Sequence, residues 1–107
     1  MTRTGSVRVA PPEPKESAVS ILARFEPSAT TEQYDESIRR LEQGDWPPDG
    51  LEYHVCFYVD GQLRVSEVWE SREQLDAFGE RLMPLLEEIG IDPGEPTILE
   101  VHNSIRG

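Results

Sequence analysis

The hydrophobic positions change period along the chain and mark six elements of regular structure. The run AVSILARFEP, over residues 18–26 and closed by Pro27, is rich in β-forming side chains and predicts a first strand. Apolar side chains also fill YHVCFYVDGQLRVSEVW, residues 53–69. There Asp60-Gly61 predicts a two-residue hairpin turn, since both positions tolerate positive φ. PTILEVHN predicts the last strand.

Two segments show helical spacing. Thr30 and Gln33 have the spacing of a capping box at the start of the first helix, and Gly44 ends it. Ser71 caps the second helix, which Gly90 ends. Their apolar stripes are Tyr34, Ile38 and Leu41 in the first, and Leu75, Phe78, Leu82, Leu86 and Ile89 in the second. Pro84 predicts a kink or a fresh turn near Met83.

The element order is therefore βαββαβ. This order predicts an α+β fold of the ferredoxin-like type, in which two helices cover one face of a four-stranded antiparallel sheet. Apolar residues also occupy both faces of the central hairpin, with Tyr53, Val55, Phe57 and Val59 on one parity and Cys56 and Tyr58 on the other. A second sheet that packs on the uncovered face accounts for this pattern, so we expect a homodimer.

Length and charge narrow the class of protein. A chain of 107 residues fits one domain over residues 18–107, preceded by a proline-rich flexible tail over residues 1–17. The formal net charge is −11, which repels phosphate and argues against nucleic acid or an anionic membrane as a partner. The N-terminal stretch lacks the apolar core of a signal peptide, so we expect a cytoplasmic protein.

Metal and thiol chemistry find little support in the sequence. Cys56 is the only cysteine and lies in an apolar strand, where a buried structural role is the usual one. His54 and His102, the latter in the last strand, are the only imidazoles, and no carboxylate stands at a recognised metal spacing. We therefore expect no metal and no cofactor.

Three segments carry a resemblance to a known superfamily. TTEQYDESIRRL, GLEYHVCFYVDGQLRVSEVWESREQLDAFGERLMPLLEEIG and PTILEVHNSIRG together resemble the dimeric α/β-barrel superfamily, in particular its antibiotic biosynthesis monooxygenase-like proteins. The likeness covers residues 18–107 and is greatest to small uncharacterised members with a histidine in the second strand, VWES at a strand end and a terminal VHN. It implies a barrel formed across a dimer, with a ligand cavity between each sheet and its helices.

The register of the hairpin decides which residues share a face. A two-residue turn at Asp60-Gly61 places His54 opposite Glu67 and on the same face as Trp69, whereas a three-residue loop with a bulge separates them. With the first register, Glu67 fixes the tautomer of His54 and stabilises its protonated form, so that His54 acts as a base. The alternative is a half-buried structural histidine beside a solvated glutamate.

Five further residues are candidates for ligand contact, and four of them have a structural alternative. Trp69 either anchors the second helix or stacks on a flat ligand. Tyr34 and Phe78 either pack in the core or line the cavity. Tyr58 and Asn103 are candidate hydrogen-bond donors to a ligand anion, and for Asn103 the role of a strand cap is the favoured alternative. Trp46, in DWPPDG, is expected at the barrel rim or the dimer seam.

The resemblance implies two alternative functions. One is a dimer that binds a small apolar or aromatic molecule, with cofactor-independent monooxygenase-like or isomerase-like chemistry. The other is a non-catalytic dimeric structural or stress-response module. A cavity of at least ~300 Å³ with His54 on its wall favours the first, and a pocket filled by Tyr34, Trp69 and Phe78 favours the second.

Overall fold

The computed structural model describes residues 19–105, so the predicted tail over residues 1–17 lies outside the described residues. The elements are β1 (Ile21–Phe25), α1 (Thr31–Leu41), β2 (Leu51–Val59), β3 (Gln62–Trp69), α2 (Arg72–Ile89) and β4 (Thr97–Glu100). The βαββαβ order predicted from the sequence is confirmed. Strand β1 is shorter than the predicted range 18–26, and β4 ends before His102, which is exposed.

The four strands form one antiparallel sheet in the order β2-β3-β1-β4. Strand β1 therefore lies between β3 and β4, and the β2–β3 hairpin forms one side of the sheet. This is the ferredoxin-like arrangement expected from the sequence. No helix within residues 19–105 is both long enough and apolar enough to cross a membrane.

Both helices begin where their capping residues predict. The Thr30 side chain accepts from the Gln33 amide while the Gln33 side chain accepts from the Thr30 amide, which completes the capping box of α1. The Ser71 hydroxyl accepts from the Gln74 amide at the start of α2. Helix α2 runs through Pro84 to Ile89, so the fresh turn expected there is absent, and the kink, the other expectation at this position, stays a prediction.

The two faces of the sheet have different surroundings. On the helix-covered face, the core brings together Ile21, Ala23, Trp69, Leu75 and Phe78. On the other face several large apolar side chains are accessible: Tyr53 at 54%, Val55 at 38%, Val59 at 45% and Leu99 at 46%. The strand register places all four of these on one side, so the described chain leaves an apolar sheet face uncovered.

Candidate active site

The β2–β3 hairpin places His54 directly opposite Glu67. Asp60 and Gly61 form the two-residue turn with φ values of 51° and 80°, the positive pair that a type I′ turn requires. The ladder pairs His54 with Glu67 and Val59 with Gln62, so the register predicted for a two-residue turn is confirmed. A bulge shifts the pairing only at the far end of the hairpin, between Leu51 and Tyr53.

Helix α1 supplies a hydroxyl group to the same place. Tyr34 lies in its first turn, next to the capping box, and its hydroxyl oxygen is 2.7 Å from His54 Nε2. The two rings are nearly parallel, with 16° between their planes and centroids 6.0 Å apart. The sequence offered Tyr34 only as a core residue or a wall residue, so its direct bond to the histidine is a finding of the structure.

Glu67 holds the other side of the imidazole. Its Oε2 is 2.6 Å from His54 Nδ1, and its Oε1 accepts a 2.9 Å hydrogen bond from the indole N–H of Trp69. Glu67 is buried and Trp69 is not exposed at all. Both carboxylate oxygens therefore have donors, as a buried charge requires. Tyr34, His54, Glu67 and Trp69 form one hydrogen-bonded chain, called here the Tyr–His–Glu–Trp chain.

The direction of these bonds follows from the charge on Glu67. A carboxylate only accepts, so His54 donates from Nδ1 to Glu67, and its Nε2 accepts from the Tyr34 hydroxyl. Burial, together with the nearby Cys56 thiol and the Glu67 charge, raises the pKa of Tyr34 above its ordinary value of 10. Tyr34 therefore keeps its proton near neutral pH and is the donor in this bond.

A cavity of about 290 Å³ lies between the sheet and the helices, at the lower end of the ~300–1,000 Å³ typical of ligand pockets. Its walls are mainly apolar, and Tyr34, His54 and Glu67 provide polar groups on one side. Arg72, Asp76 and Met83, which are exposed residues of α2, also line it, so the cavity reaches the surface there. The volume is close to the one expected of a ligand site.

Phe78 and Trp69 differ in their relation to the cavity. Phe78 lines it and packs against Trp69, with ring centroids 5.6 Å apart. Trp69 itself is fully buried behind Glu67 and Phe78. Its position is therefore that of the packing anchor, the first of its two predicted roles.

Trp46 was expected at the barrel rim or the dimer seam, and that expectation is wrong. It lines the cavity, with its ring centroid 6.4 Å from that of His54 in an edge-on arrangement and 6.3 Å from that of Phe78. The loop that carries it has two prolines and no periodicity, so no pattern in the sequence indicated where the indole would point.

Tyr58 and Asn103 do not line the cavity. Tyr58 has the parity of His54 but lies near the hairpin turn, is 60% exposed, and its hydroxyl is 2.9 Å from Thr31 Oγ1. Asn103 is exposed beyond the end of β4. The geometry therefore gives no support to either of them as a hydrogen-bond donor to a ligand in this cavity.

Cys56 is a half-buried free thiol on the same strand as His54, and burial raises its pKa. A raised pKa leaves little reactive thiolate near neutral pH, as expected of a structural cysteine. Within residues 19–105, no group of three or more histidine, cysteine, aspartate or glutamate side chains is arranged to hold a metal ion.

Comparison with known proteins identifies the fold. No protein-family model matches the sequence, and no curated protein matches it either. Among solved structures, SnoaB, a cofactor-independent oxygenase from Streptomyces nogalater, superposes with a TM-score of 0.56 at 12% identity, over 83% of this chain and 97% of SnoaB. The chain has the SnoaB fold.

Two more structures share it. A Deinococcus radiodurans protein assigned to the antibiotic biosynthesis monooxygenases matches with a TM-score of 0.52 at 14% identity, over 82% of this chain and 96% of that one. A conserved protein from Methanosarcina mazei matches with a TM-score of 0.50 at 17% identity, over 84% of this chain and 98% of that one. The fold expected from the sequence is thus confirmed, whereas identities this low show neither a superfamily nor a chemistry.

Proposed function

We propose that the protein binds a small, largely apolar or aromatic molecule in the cavity and removes a proton from it. This step would begin a cofactor-independent monooxygenase-like or isomerase-like reaction. The observation that carries the proposal is the Tyr–His–Glu–Trp chain, because a base, its orienting carboxylate and a hydroxyl group meet at the wall of an apolar cavity. The fold of SnoaB, itself a cofactor-independent oxygenase, supports it.

The path of the proton follows from the hydrogen bond that the Tyr34 hydroxyl makes to His54 Nε2. Because the Tyr34 hydroxyl already donates to Nε2, a ligand proton would pass to the Tyr34 oxygen as the Tyr34 proton moves to His54. Glu67 would stabilise the imidazolium through Nδ1. This relay avoids a free tyrosinate, which the raised pKa of Tyr34 disfavours. His54 is the base and Tyr34 the group that touches the ligand.

Two reactions can follow from the resulting carbanion or phenolate. With molecular oxygen, an activated methylene group becomes a carbonyl: one oxygen atom bonds to the carbon, and the other leaves as water with the two hydrogens that the carbon lost. Without oxygen, the imidazolium returns its proton through Tyr34 to a different carbon, which is an isomerisation. Both reactions use the same first proton transfer, and the apolar walls would strengthen the interactions of the charge that forms.

The functional unit would be a homodimer formed through the uncovered sheet face. Tyr53, Val55, Val59 and Leu99 are accessible there, and a second copy of the same face would remove them from water. The cavity lies on the opposite side of the sheet, so dimerisation would leave its mouth on α2 free.

A non-catalytic dimeric module is the second candidate. One observation favours it: Tyr34, His54, Glu67 and Trp69 already satisfy one another, which is also what a purely structural buried network does. A structural network would hold the sheet to α1 and would not respond to a ligand.

A chromophoric phenol separates the two candidates. 4-Nitrophenol is small enough for the cavity and absorbs differently as phenol and as phenolate, so its absorption reports the protonation state of the bound probe. In the wild type we expect saturable binding and an apparent pKa of the bound probe about one unit below that of the free probe, since the imidazolium formed by the proton transfer would stabilise the phenolate.

Glu67→Gln is the variant that tests the role of the carboxylate. The amide can accept from Trp69 and donate to Nδ1, so that His54 carries its proton on Nε2 and donates to Tyr34. The network would stay satisfied while its bonds reverse, so we expect retained binding and no lowering of the probe pKa. Absence of binding by the wild type, or an equal shift in both proteins, would favour the structural module.

A further inference from the structure

Gly79 lies in the middle of α2 and forms part of the cavity wall. The residues one turn before it, Leu75 and Asp76, and one turn after it, Leu82 and Met83, line the cavity as well. Residues three and four apart share one face of a helix, so a side chain at position 79 would project towards the cavity. Glycine leaves that part of the wall as bare backbone.

The packing of the described chain does not require a glycine at this position. Its φ is not in the positive range, and Gly90 rather than Gly79 ends the helix. A Cβ added to Gly79 would meet no atom of another described element within 4 Å, so no close approach of another element depends on the glycine. Glycine inside a helix destabilises it relative to alanine, because it loses more backbone entropy on folding.

A destabilising residue with open space beside it suggests a role outside folding. We infer that Gly79 sets the width of the cavity, so that a flat aromatic ligand of two fused rings lies against the α2 backbone. The inference rests on the proposed function and adds to it the size class of the ligand. A methyl group at this position would occupy part of the thickness that a flat ring needs between α2 and the sheet.

The residue that would limit the size of the ligand and the residues that would transfer its proton lie on different elements. The Tyr34, His54 and Glu67 groups come from α1, β2 and β3, whereas Gly79 belongs to α2. Arg72 and Asp76 of α2 line the cavity where it reaches the surface. On this inference, a phenol of one ring reaches Tyr34 without contacting Gly79, whereas a phenol of two fused rings extends as far as the α2 backbone. Gly79 is thus a specificity-determining residue and not a catalytic one.

The test compares two probes that carry the same polar group, 4-nitrophenol and 4-nitro-1-naphthol, on the full-length protein. Gly79→Ala and Gly79→Leu narrow the cavity in two steps, and Ala77→Leu adds bulk to an exposed position of the same helix that does not line the cavity. Absorption titrations give the dissociation constants. Thermal unfolding at a fixed protein concentration gives the stability of each variant.

We expect Gly79→Ala to weaken 4-nitro-1-naphthol binding about tenfold and Gly79→Leu about a hundredfold or more. Both variants should change 4-nitrophenol binding less than about twofold, and Ala77→Leu should change neither. Gly79→Ala should also raise the unfolding temperature by about 4 °C, since alanine favours the helix.

Three results would overturn the inference. One is equal binding of 4-nitro-1-naphthol by the wild type and both Gly79 variants. Another is a lower unfolding temperature in Gly79→Ala, which would show that the fold itself requires the glycine. The third is a wild type that binds 4-nitrophenol but not the naphthol. Failure of the wild type to bind either probe would instead contradict the proposed function, and this inference with it.

Discussion

The two faces of the sheet carry opposite kinds of residue. On the helix-covered face, a glutamate, a histidine, a tyrosine hydroxyl and an indole N–H satisfy one another next to an apolar cavity. On the other face, Tyr53, Val55, Val59 and Leu99 are apolar and accessible. Polar groups are thus enclosed where water is scarce, while large apolar groups face solvent in the described chain.

This contrast is consistent with the proposed homodimer, in which a second copy would cover the outer face. Buried polar groups cost free energy unless they are paired, and the inner face meets that condition completely. An exposed apolar sheet face has no such compensation within one chain. The comparison therefore predicts that the inner face is sensitive to the loss of a hydrogen-bonding partner and that the outer face is sensitive to the gain of a charge.

The largest expected effect is on the outer face. Val55→Glu places a carboxylate between Tyr53 and Val59 on the accessible face of β2, and in a two-fold symmetric dimer the change occurs twice at one interface. We expect the wild type to sediment as a dimer and the variant to lose about 4 kcal/mol of association free energy, roughly a thousandfold in dissociation constant.

Ala77→Glu is the matched control for that change, because it adds the same charge to an exposed position of α2. It should leave the sedimentation of the dimer unaltered. A wild type that sediments as a monomer at every concentration, or a Val55→Glu protein that stays dimeric, would show that the outer face is not the interface.

The second effect concerns the inner face. Glu67→Leu removes the acceptor of two buried donors, His54 Nδ1–H and the Trp69 indole N–H, and leaves both unpaired. At ~1–3 kcal/mol for each unsatisfied donor, we expect a loss of about 3 kcal/mol in the free energy of unfolding. Urea denaturation at a fixed protein concentration measures it, since dimerisation would make stability depend on concentration.

Two control variants test the physical reason for this second prediction. Glu67→Gln keeps the network satisfied with reversed bonds and should cost less than about 1.5 kcal/mol. Ser66→Ala changes the neighbouring residue, whose side chain points to the other face, and should have the smallest effect of the three. Similar losses in Glu67→Leu and Ser66→Ala would mean that the buried network does not stabilise the fold.

The sequence predicted which strand residues share the inner face, and it predicted their pairing. The Asp60-Gly61 turn fixes the hairpin register by backbone geometry, so the pairing of His54 with Glu67 was readable from local chemistry. Parity also grouped Trp69 with them. The capping box located the start of α1 and thus the turn that holds Tyr34.

The remaining parts of the site depend on tertiary placement. The bond between Tyr34 and His54 requires the position of α1 over β2, which no local pattern encodes. Trp46 lies in a loop without periodicity, and its packing against His54 was missed for that reason. Tyr58 had the correct parity, but its place near the hairpin turn sets it apart from the cavity. The face and the register of a strand residue follow from local sequence, whereas its contacts with other elements depend on the tertiary structure.

The smallest expected effect tests the state of Tyr34 through the pH dependence of stability. Burial raises the pKa of Tyr34 above its ordinary value of 10, whereas the unfolded chain ionises near that value. A group whose pKa is raised on folding contributes stability that is fully present below the unfolded pKa and is lost as pH rises towards the folded one. The stability of the wild type should therefore fall above about pH 10.

Tyr34→Phe lacks this ionisation and should lose less stability between pH 9 and pH 11. If Tyr34 did not ionise at all in the folded protein, the wild type would lose about 1.4 kcal/mol of unfolding free energy per pH unit above pH 10 relative to the variant. Because Tyr34 is only half-buried, we expect a difference of about 0.5 kcal/mol at pH 11. Tyr53 and Tyr58 are present in both proteins, so their ionisation cancels in the comparison. Parallel stability curves for the two proteins would mean that Tyr34 ionises as readily in the fold as outside it. The hydroxyl would then be as well solvated as in the unfolded chain. The inner face would not shield this polar group from water, and the contrast between the two faces would not hold for it.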